Sequence, residues 1–315
     1  MASIPTAPPL PYFCDPSELP ARLPTIPEIE ASTHSLQTPN FELGYHRVVL
    51  VRNKFVVKFG RPPWMTENEG HALLLLRQYP SIPAPRLYAM YYEGDRLFLV
   101  MEYKPGVRLD TVWDRLSETN KLAITDQLHA IFADVRAIPS PGIFASVAGG
   151  KLRHKYFWSV KPEPDINGPF QNERDFSMAM ALRSERVRKS GYPPDKNAWL
   201  SQFLKRHFPT ALAGHGSVLT HGDVQRKNIL VEKVLKDSSK AGEGGEGSKN
   251  ESVEWRVSAV VDWTEAGWYP SYWEHAAMFI HLQWVNDWPE KYERIVDPCP
   301  LEGGMLWILK QDLEF

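Results

Sequence analysis

A short polar segment, LTHGDVQRKNILV at residues 219–231, holds the residues best suited to chemistry. Asp223 is followed five residues later by Asn228, and the chain then enters an apolar, β-branched run. This spacing is typical of a loop that catalyses phosphoryl transfer. The acid would orient an acceptor hydroxyl and take its proton, while the amide oxygen would bind magnesium. We expect His221 to support the loop through its ring nitrogens. A loop acid and a turn asparagine without catalytic roles would give the same pattern, so other elements decide.

A second acid, Asp262, ends the apolar run Ala259-Val260-Val261. A carboxylate that leaves a buried strand is costly unless its charge is compensated. A magnesium ion that bridges the phosphates of ATP would compensate it. A strand-end acid that caps the next turn is the alternative. The order of the two motifs, one hairpin apart, favours a magnesium ligand.

A lysine that could bind phosphates lies upstream, where Lys58 interrupts the apolar run VVKF. Glu69 opens the next predicted helix and could hold Lys58 by an ion pair. Glu67 competes for that role from a different helix face. A solvated lysine on an edge strand is the alternative, and the order of the motifs favours the phosphate-binding role.

The segment FLVMEYKPG at residues 98–106 is an apolar strand that runs into a Pro-Gly break. This pattern predicts a hinge between two lobes. The main chain of Met101, Glu102 or Tyr103 would then bind the adenine edge of ATP. A strand followed by an ordinary turn would have the same sequence.

The elements that position these residues change character near residue 104, which predicts an α+β fold with two lobes. Residues 41–103 alternate as strands with a helix at 67–79, and a hairpin is expected around residues 52–54. Residues 104–315 are mainly helical, with two strands at 228–235 and 253–262. The Pro-rich residues 1–40 predict an irregular arm with one short helix over the first lobe. Residues 237–252 are a Gly/Ser/Glu/Lys tract, which predicts a disordered hairpin insertion.

Composition excludes several function classes. The 315 residues carry a net charge of −2, without the basic excess of a nucleic-acid-binding protein. Apolar stretches are far too short for a membrane span, and the N-terminus lacks the pattern of a signal peptide. Cys14 and Cys299 are the only cysteines, which favours a reducing compartment over a disulfide framework. We therefore expect a cytoplasmic protein that contacts neither nucleic acid nor membrane.

Together these motifs resemble the aminoglycoside phosphotransferase and choline-kinase-like family of the protein-kinase-like superfamily. The resemblance extends from about residue 45 to the C-terminus and includes SIPAP at 81–85 and VDW at 261–263. EAGWYP at 265–270, with Trp-Glu soon after, is most similar to fungal members. The resemblance implies ATP and Mg²⁺ as cofactors. It also implies that Asp223 is the catalytic base, that Asn228 and Asp262 hold magnesium, and that Lys58 pairs with the phosphates.

Two positions depart from the family pattern. Only Gly44 precedes Lys58 where a glycine-rich phosphate loop would lie, and Thr264 stands where many relatives carry an acid. The role of position 264 is therefore open.

The acceptor is expected to be a small molecule, because no long segment that could dock a polypeptide follows Asp262. Aromatic residues beside acids would suit an amine-bearing ligand. Packing of the tryptophans in the core is the alternative. Two further hypotheses are non-kinase chemistry in a biosynthetic pathway and nucleotide binding without turnover. The candidate acceptor residues are Glu265, Trp268, Tyr269, Trp284 and Asp287.

Overall fold

The computed structural model describes residues 2–36, 46–159, 161–190, 199–235, 253–280 and 286–313. The elements of its first part are β1 (Tyr12–Phe13), α1 (Ile26–Glu30), β2 (His46–Val51), β3 (Phe55–Gly60), α2 (Asn68–Leu76), β4 (Leu87–Glu93) and β5 (Arg96–Glu102). The five strands form an antiparallel sheet in the order β1-β4-β5-β3-β2, with α1 on one face and α2 on the other.

Side-chain alternation along β3 decides where its lysine points. Val57 and Phe59 pack into a cluster on one face of the sheet, together with α1. Successive side chains of a strand point to opposite faces, so Lys58 lies on the other face, toward α2. The predicted hairpin between β2 and β3 is confirmed, and its turn residues Arg52 and Asn53 have positive φ values of 53° and 50°.

The proline-rich segment contains more regular structure than an irregular arm. Its β1 pairs with β4, which adds an edge strand that the sequence pattern did not predict. Its helix α1 begins with a capping box between Thr25 and Glu28, and Ile29 of this helix is fully buried. At its start, the Ala2 N–H donates to the carbonyl of Ser140 in the second lobe at 3.0 Å.

The second part of the chain is mainly helical, and with the sheet of the first part it confirms the α+β two-lobed fold. None of the described helices is long and apolar enough to cross a bilayer. Its elements are β6 (Val107–Arg108), α3 (Leu109–Val112), α4 (Glu118–Ala137), β7 (Ala145–Ser146), α5 (Pro164–Asn167), α6 (Glu173–Ser190), α7 (Trp199–Ala211), β8 (Ser217–Thr220), β9 (Ile229–Leu235), β10 (Val253–Val260), β11 (Gly267–Pro270), α8 (Trp273–Phe279), α9 (Trp288–Tyr292) and α10 (Pro300–Leu313).

Two small antiparallel sheets position the polar segments of the second lobe. One has the order β10-β9-β6 and the other β7-β11-β8. Val260 of β10 pairs with Ile229 of β9, and the N–H of Val261 donates to the carbonyl of Asn228 at 2.9 Å. This register brings Asn228 beside the residue that follows Val261. The predicted insertion at 237–252 lies outside the described residues.

Candidate active site

Lys58 is the centre of a buried polar cluster. The residue is 6% exposed, and its Nζ donates to Glu69 Oε2 at 2.8 Å, Asp262 Oδ1 at 2.8 Å and Thr264 Oγ1 at 2.7 Å. Burial alone would lower the pKa of Lys58, but the charges of Asp262 and Glu69 outweigh it and raise the pKa well above its usual range. Lys58 is therefore a fixed cation.

The structure selects between the two candidate partners of Lys58. Glu69 is 4% exposed and lies in the first turn of α2, facing the sheet. Glu67 lies outside the cluster and accepts a hydrogen bond from the Tyr92 hydroxyl at the surface. The ion pair thus forms with Glu69, as the main hypothesis expected.

Asp262 follows β10 in a left-handed backbone conformation, with φ of 63° and ψ of 62°. Such a conformation is uncommon for a residue other than glycine and is found preferentially at functional sites. Burial raises the pKa of Asp262, but the Lys58 charge and hydrogen bonds from Lys58 and Thr264 lower it well below its usual range. The carboxylate is therefore ionised and aimed at Lys58.

Thr264 has a defined position in this cluster, which answers the question left by its departure from the family pattern. Its hydroxyl accepts from Lys58 and lies 2.7 Å from Asp262 Oδ1 and 3.3 Å from Glu69 Oε2. A hydroxyl can both donate and accept. Thr264 therefore links the lysine to both carboxylates without adding a charge.

The loop between β8 and β9 carries Asp223. The loop turns at Gly222, whose φ is +86°. The Asp223 carboxylate accepts hydrogen bonds from Gln225 Nε2 on one oxygen and from Asn228 Nδ2, at 2.9 Å, on the other. Lys227 Nζ lies 3.5 Å from the same carboxylate. The loop thus folds so that Asp223 and Asn228 touch.

The expected supporting role of His221 is confirmed. Its ring is fully buried, and its Nδ1 accepts the N–H of Asp223 at 3.1 Å. The ring proton therefore lies on Nε2, which donates to the carbonyl of Val261 at 3.1 Å. One imidazole thus joins the Asp223 loop to the strand that delivers Asp262.

Glu274, which the sequence analysis named only in the Trp-Glu pair of the family resemblance, supports the same loop. Its carboxylate is 1% exposed and accepts the N–H of His221 at 2.7 Å and of Gly222 at 3.0 Å. Burial raises the pKa of Glu274, while the hydrogen bonds from the two N–H groups oppose this rise. The only sequence signal was a Trp-Glu pair at the start of a helix, which carries no information about main-chain partners.

Two oxygen atoms in the site suit a magnesium ion. Asn228 uses its Nδ2 for two hydrogen bonds to Asp223, and no described residue donates to its Oδ1. Asp262 accepts from Lys58 and Thr264 through Oδ1, and no described residue donates to its Oδ2. Magnesium in phosphate-binding sites takes one or two protein oxygens and completes its shell with phosphate and water. The donor set therefore fits.

These residues border a cavity of about 450 Å³ between the lobes. Met101, Glu102 and Tyr103 line it at the predicted hinge. The N–H groups of Glu102 and Tyr103 already donate to the carbonyls of Arg86 and Lys54. These two N–H groups are therefore not available to adenine in this conformation. The predicted contact with adenine would have to use other main-chain atoms of the hinge. Other lining residues include His34, Val48, Val56, Lys58, Asn228, Leu230 and Asp262.

Two of the predicted acceptor residues are buried in the core, and a third bonds to neighbouring side chains. Trp268 and Tyr269 are 1% and 0% exposed, and the Trp268 indole donates to the carbonyl of Val147. Asp287 accepts from Trp113 Nε1 at 2.8 Å and from Lys121 at 2.5 Å. In this fold, the aromatic residues pack in the core and the acid forms hydrogen bonds to neighbouring side chains. Trp284 lies outside the described residues.

Glu265 is the predicted acceptor residue that stays at the site. Its side chain is 34% exposed, and its Oε2 lies 3.9 Å from His154 Nε2. Burial and the nearby charges of Asp223 and Asp262 raise the pKa of Glu265 to about 8. The three acids therefore lie close enough for their charges to interact.

Comparison with known proteins agrees with this geometry. The profile of the phosphotransferase enzyme family matches residues 40–239. No curated protein gives a significant sequence match. Among solved structures, a thermostable mutant of aminoglycoside phosphotransferase APH(4)-Ia in its apo form has a TM-score of 0.55 at 17% identity, over 91% of this chain and 88% of that chain.

Two ligand-bound structures share the fold. A ternary complex of the APH(4)-Ia mutant with ADP and hygromycin B has a TM-score of 0.53 at 17% identity, covering 84% of this chain and 81% of that one. ADP-bound aminoglycoside phosphotransferase APH(2'')-Ib has a TM-score of 0.50 at 14% identity, covering 89% and 79%. The closer likeness to fungal members stays a prediction. Because the family profile spans well over half of its residues, this chain belongs to the phosphotransferase enzyme family.

Proposed function

We propose that this protein transfers the γ-phosphoryl group of ATP to a hydroxyl of a small molecule, with magnesium as the metal. The observation that carries the proposal is the convergence of Lys58, Asp262 and Asn228 on one cavity, with Asp223 hydrogen-bonded to Asn228. Phosphoryl transfer needs little covalent chemistry from a protein, and positioning and charge stabilisation supply most of the catalysis. A fixed cation, two free oxygens and a positioned acid match these needs.

Each residue takes a distinct part in the proposed reaction. Lys58 would neutralise charge on the nucleotide phosphates and would exchange its bond to Asp262 for one to a phosphate oxygen. Asp223 would accept a hydrogen bond from the acceptor hydroxyl and take its proton as the new bond forms. Each carboxylate oxygen can accept more than one hydrogen bond, so the contacts to Gln225 and Asn228 leave room for the acceptor.

Magnesium, when bound, would supply positive charge that offsets the negative charge of the phosphates. Asn228 would hold it through Oδ1 and Asp262 through Oδ2, the two oxygens to which no described residue donates. The His221 bridge keeps these two ligands in register, because it joins the Asp223 loop to Val261.

The acceptor is proposed to be a small molecule. Asp262 is followed at once by a short 3-10 helix (Trp263–Glu265), and β11 and α8 then enter the core. This segment is fixed by packing, which does not suit a platform for a polypeptide. An amine-bearing acceptor is supported by the acidic side chains of Asp223 and Asp262.

A screen of ATP consumption against amino alcohols, sugars and other hydroxyl metabolites tests the proposal. A product heavier by one phosphoryl group, formed only with magnesium, is the expected result. Asp223→Asn serves as the control, because it keeps the shape of the carboxylate and removes the base. A product of different mass, or tight ATP binding without any product across the panel, would favour other chemistry or a binding module instead.

A further inference from the structure

Asn68, the first residue of α2, is buried and connects three separate parts of the fold. Its Nδ2 donates to the carbonyls of Thr264 at 2.9 Å and Ala266 at 2.7 Å, and its Oδ1 accepts the N–H of Val147 at 3.1 Å. The residue is 5% exposed. All three hydrogen bonds run to main-chain groups of the second lobe, so the side chain fastens α2 of the first lobe to the turn that follows Asp262.

The hydrogen bonds of Asn68 lie next to the ion pair between Lys58 and Glu69. Glu69 is the next residue along the chain, and it is the buried partner of Lys58. The same turn that receives Asn68 also supplies Asp262 and Thr264 to Lys58. Helix α2 and the turn are therefore joined twice, once through the charged cluster and once through Asn68.

The two connections respond differently to nucleotide. In the proposed function, on which this inference rests, Lys58 exchanges Asp262 for a phosphate, so the charged connection weakens when ATP and magnesium bind. The partners of Asn68 are two main-chain carbonyls and one main-chain N–H, none of which is a partner of Lys58. The Val147 anchor is also fixed on its other side, because its carbonyl accepts from the Trp268 indole.

Helix α2 also packs closely against the sheet of the first lobe. A Cβ at Gly70 would lie 2.5 Å from Met90 Sδ, so the helix backbone packs directly against a side chain of β4. Glu69 precedes Gly70 in the same turn, so the position of this turn also sets the position of Glu69.

We propose that Asn68 is a positioning residue that keeps Glu69 against Lys58 while Lys58 engages the phosphates. It does so through hydrogen bonds that are independent of nucleotide. It touches no reacting atom. Its effect reaches the reaction through Glu69 and Lys58.

Two variants of Asn68 separate its hydrogen bonds from its volume. Asn68→Asp keeps an acceptor for the Val147 N–H but sets an oxygen against two carbonyl oxygens. Asn68→Ala removes all three bonds. The matched control is Asn167, which is also 5% exposed and donates to one carbonyl while accepting one main-chain N–H. The partners of Asn167 lie at Leu152 and residues 157–163, away from α2.

The first measurement is amide hydrogen exchange in the absence of nucleotide. Asn68→Ala should speed exchange of the Val147 N–H by about tenfold or more, because this N–H loses its acceptor. Exchange in the first turn of α2 should rise as well, because the side chain that fastens this turn to the second lobe is removed. Asn167→Ala should leave both segments unchanged. Equal exchange in Asn68→Ala and the wild type would overturn the proposal.

The second measurement is a double-mutant cycle with Glu69→Gln, read as the affinity for magnesium–ATP by calorimetry. Each single variant should weaken binding by about tenfold, and the double variant should be little weaker than either one, because both act through Lys58. If the affinity of the double variant fell by about a hundredfold, the product of the two single effects, Asn68 would act independently of Glu69 and the proposal would be overturned. If the wild type bound no nucleotide, the proposed function would fail, and the exchange rates would still decide whether Asn68 holds α2.

Discussion

Substitution of Gly222 by alanine tests how closely the Asp223 loop packs on the turn that follows Asp262. Gly222 has a φ of +86°, and a Cβ there would lie 3.1 Å from the carbonyl oxygen of Glu265 and 3.2 Å from its Cβ. The left-handed conformation costs an L-residue about 1–2 kcal/mol. The close contact adds about 1–3 kcal/mol, because neither of the two opposing atoms can rotate away. We therefore expect Gly222→Ala to lower the free energy of unfolding by about 2–5 kcal/mol.

Gly94 is a matched control, since it separates the backbone cost from the contact. Gly94 lies in the turn between β4 and β5 with a φ of +59°, and no heavy atom lies within 4 Å of a Cβ there. Gly94→Ala should therefore lower stability by only the conformational share, about 1–2 kcal/mol. Urea denaturation of both variants and the wild type, followed by circular dichroism, gives the two differences directly.

The contact also predicts a catalytic effect. An alanine at position 222 pushes the Glu265 backbone away from the loop, which moves Asp262 relative to Asp223. Displacements of about 1 Å in a phosphoryl-transfer site can cost on the order of 10²-fold in rate. Gly222→Ala should therefore lose turnover at temperatures where it is folded, and Gly94→Ala should keep it. Equal stability of the two variants, with unchanged turnover in both, would refute the close packing of loop and turn.

Three further predictions concern single side chains. Lys58→Met should keep the fold and lose most turnover, whereas Lys54→Met should keep turnover, because Lys54 bonds to the carbonyl of Pro20 at the surface; similar activity in both variants would exclude Lys58 from phosphate binding. Calorimetry should find that Asp262→Asn weakens magnesium-dependent ATP binding and that Asp223→Asn still binds ATP. Asp223→Asn should transfer the phosphoryl group about 10²–10⁴-fold more slowly than the wild type. The reverse pattern would exchange the roles of the two acids. In metal-free protein, the melting temperature of Glu265→Gln should exceed that of the wild type by an amount that grows between pH 4.5 and pH 8. The reason is that Glu265 ionises near pH 4.5 in the unfolded chain but keeps its proton to about pH 8 in the folded protein. A difference in melting temperature that stays constant across this range would show that Glu265 does not have this raised pKa.

The sign of the Glu265 effect follows from the proton balance. Below pH 4.5 both states hold the proton, and the carboxyl contributes no pH dependence. As the pH rises toward 8, only the unfolded state releases it, so the stability of the wild type falls. Glutamine releases no proton, and its advantage therefore grows over this window and is constant above it.

The parts of the site that follow from local patterns were predictable from sequence. Alternation in β3 places Lys58 opposite two core residues, and the start of the next helix places Glu69 within reach of it. The hairpin between β9 and β10 brings the residues that precede and follow it together, which is why the spacing of Asn228 and Asp262 was informative. These inferences need only the period of a strand and the antiparallel register.

The parts that failed or were missed depend on partners that leave no mark in the sequence. Asn68 and Glu274 bind main-chain groups that are between 52 and 198 residues away, and every residue offers the same main-chain groups. The burial of Trp268 and Tyr269 did not follow from the sequence, because an aromatic residue that packs in a core and one that lines a cleft can have the same neighbours along the chain. Only burial distinguishes the two cases.

The hydrogen bonds of the site divide its polar atoms into two groups with different functions. Groups that only support the site use their full bonding capacity, as the His221 ring does with one bond at each nitrogen. The two groups proposed to hold magnesium use one side only. Asn228 commits its nitrogen to Asp223, and Asp262 commits Oδ1 to Lys58 and Thr264. Each is therefore held in place by one atom while the other oxygen stays available, which fixes the direction of the free oxygen before any ligand arrives.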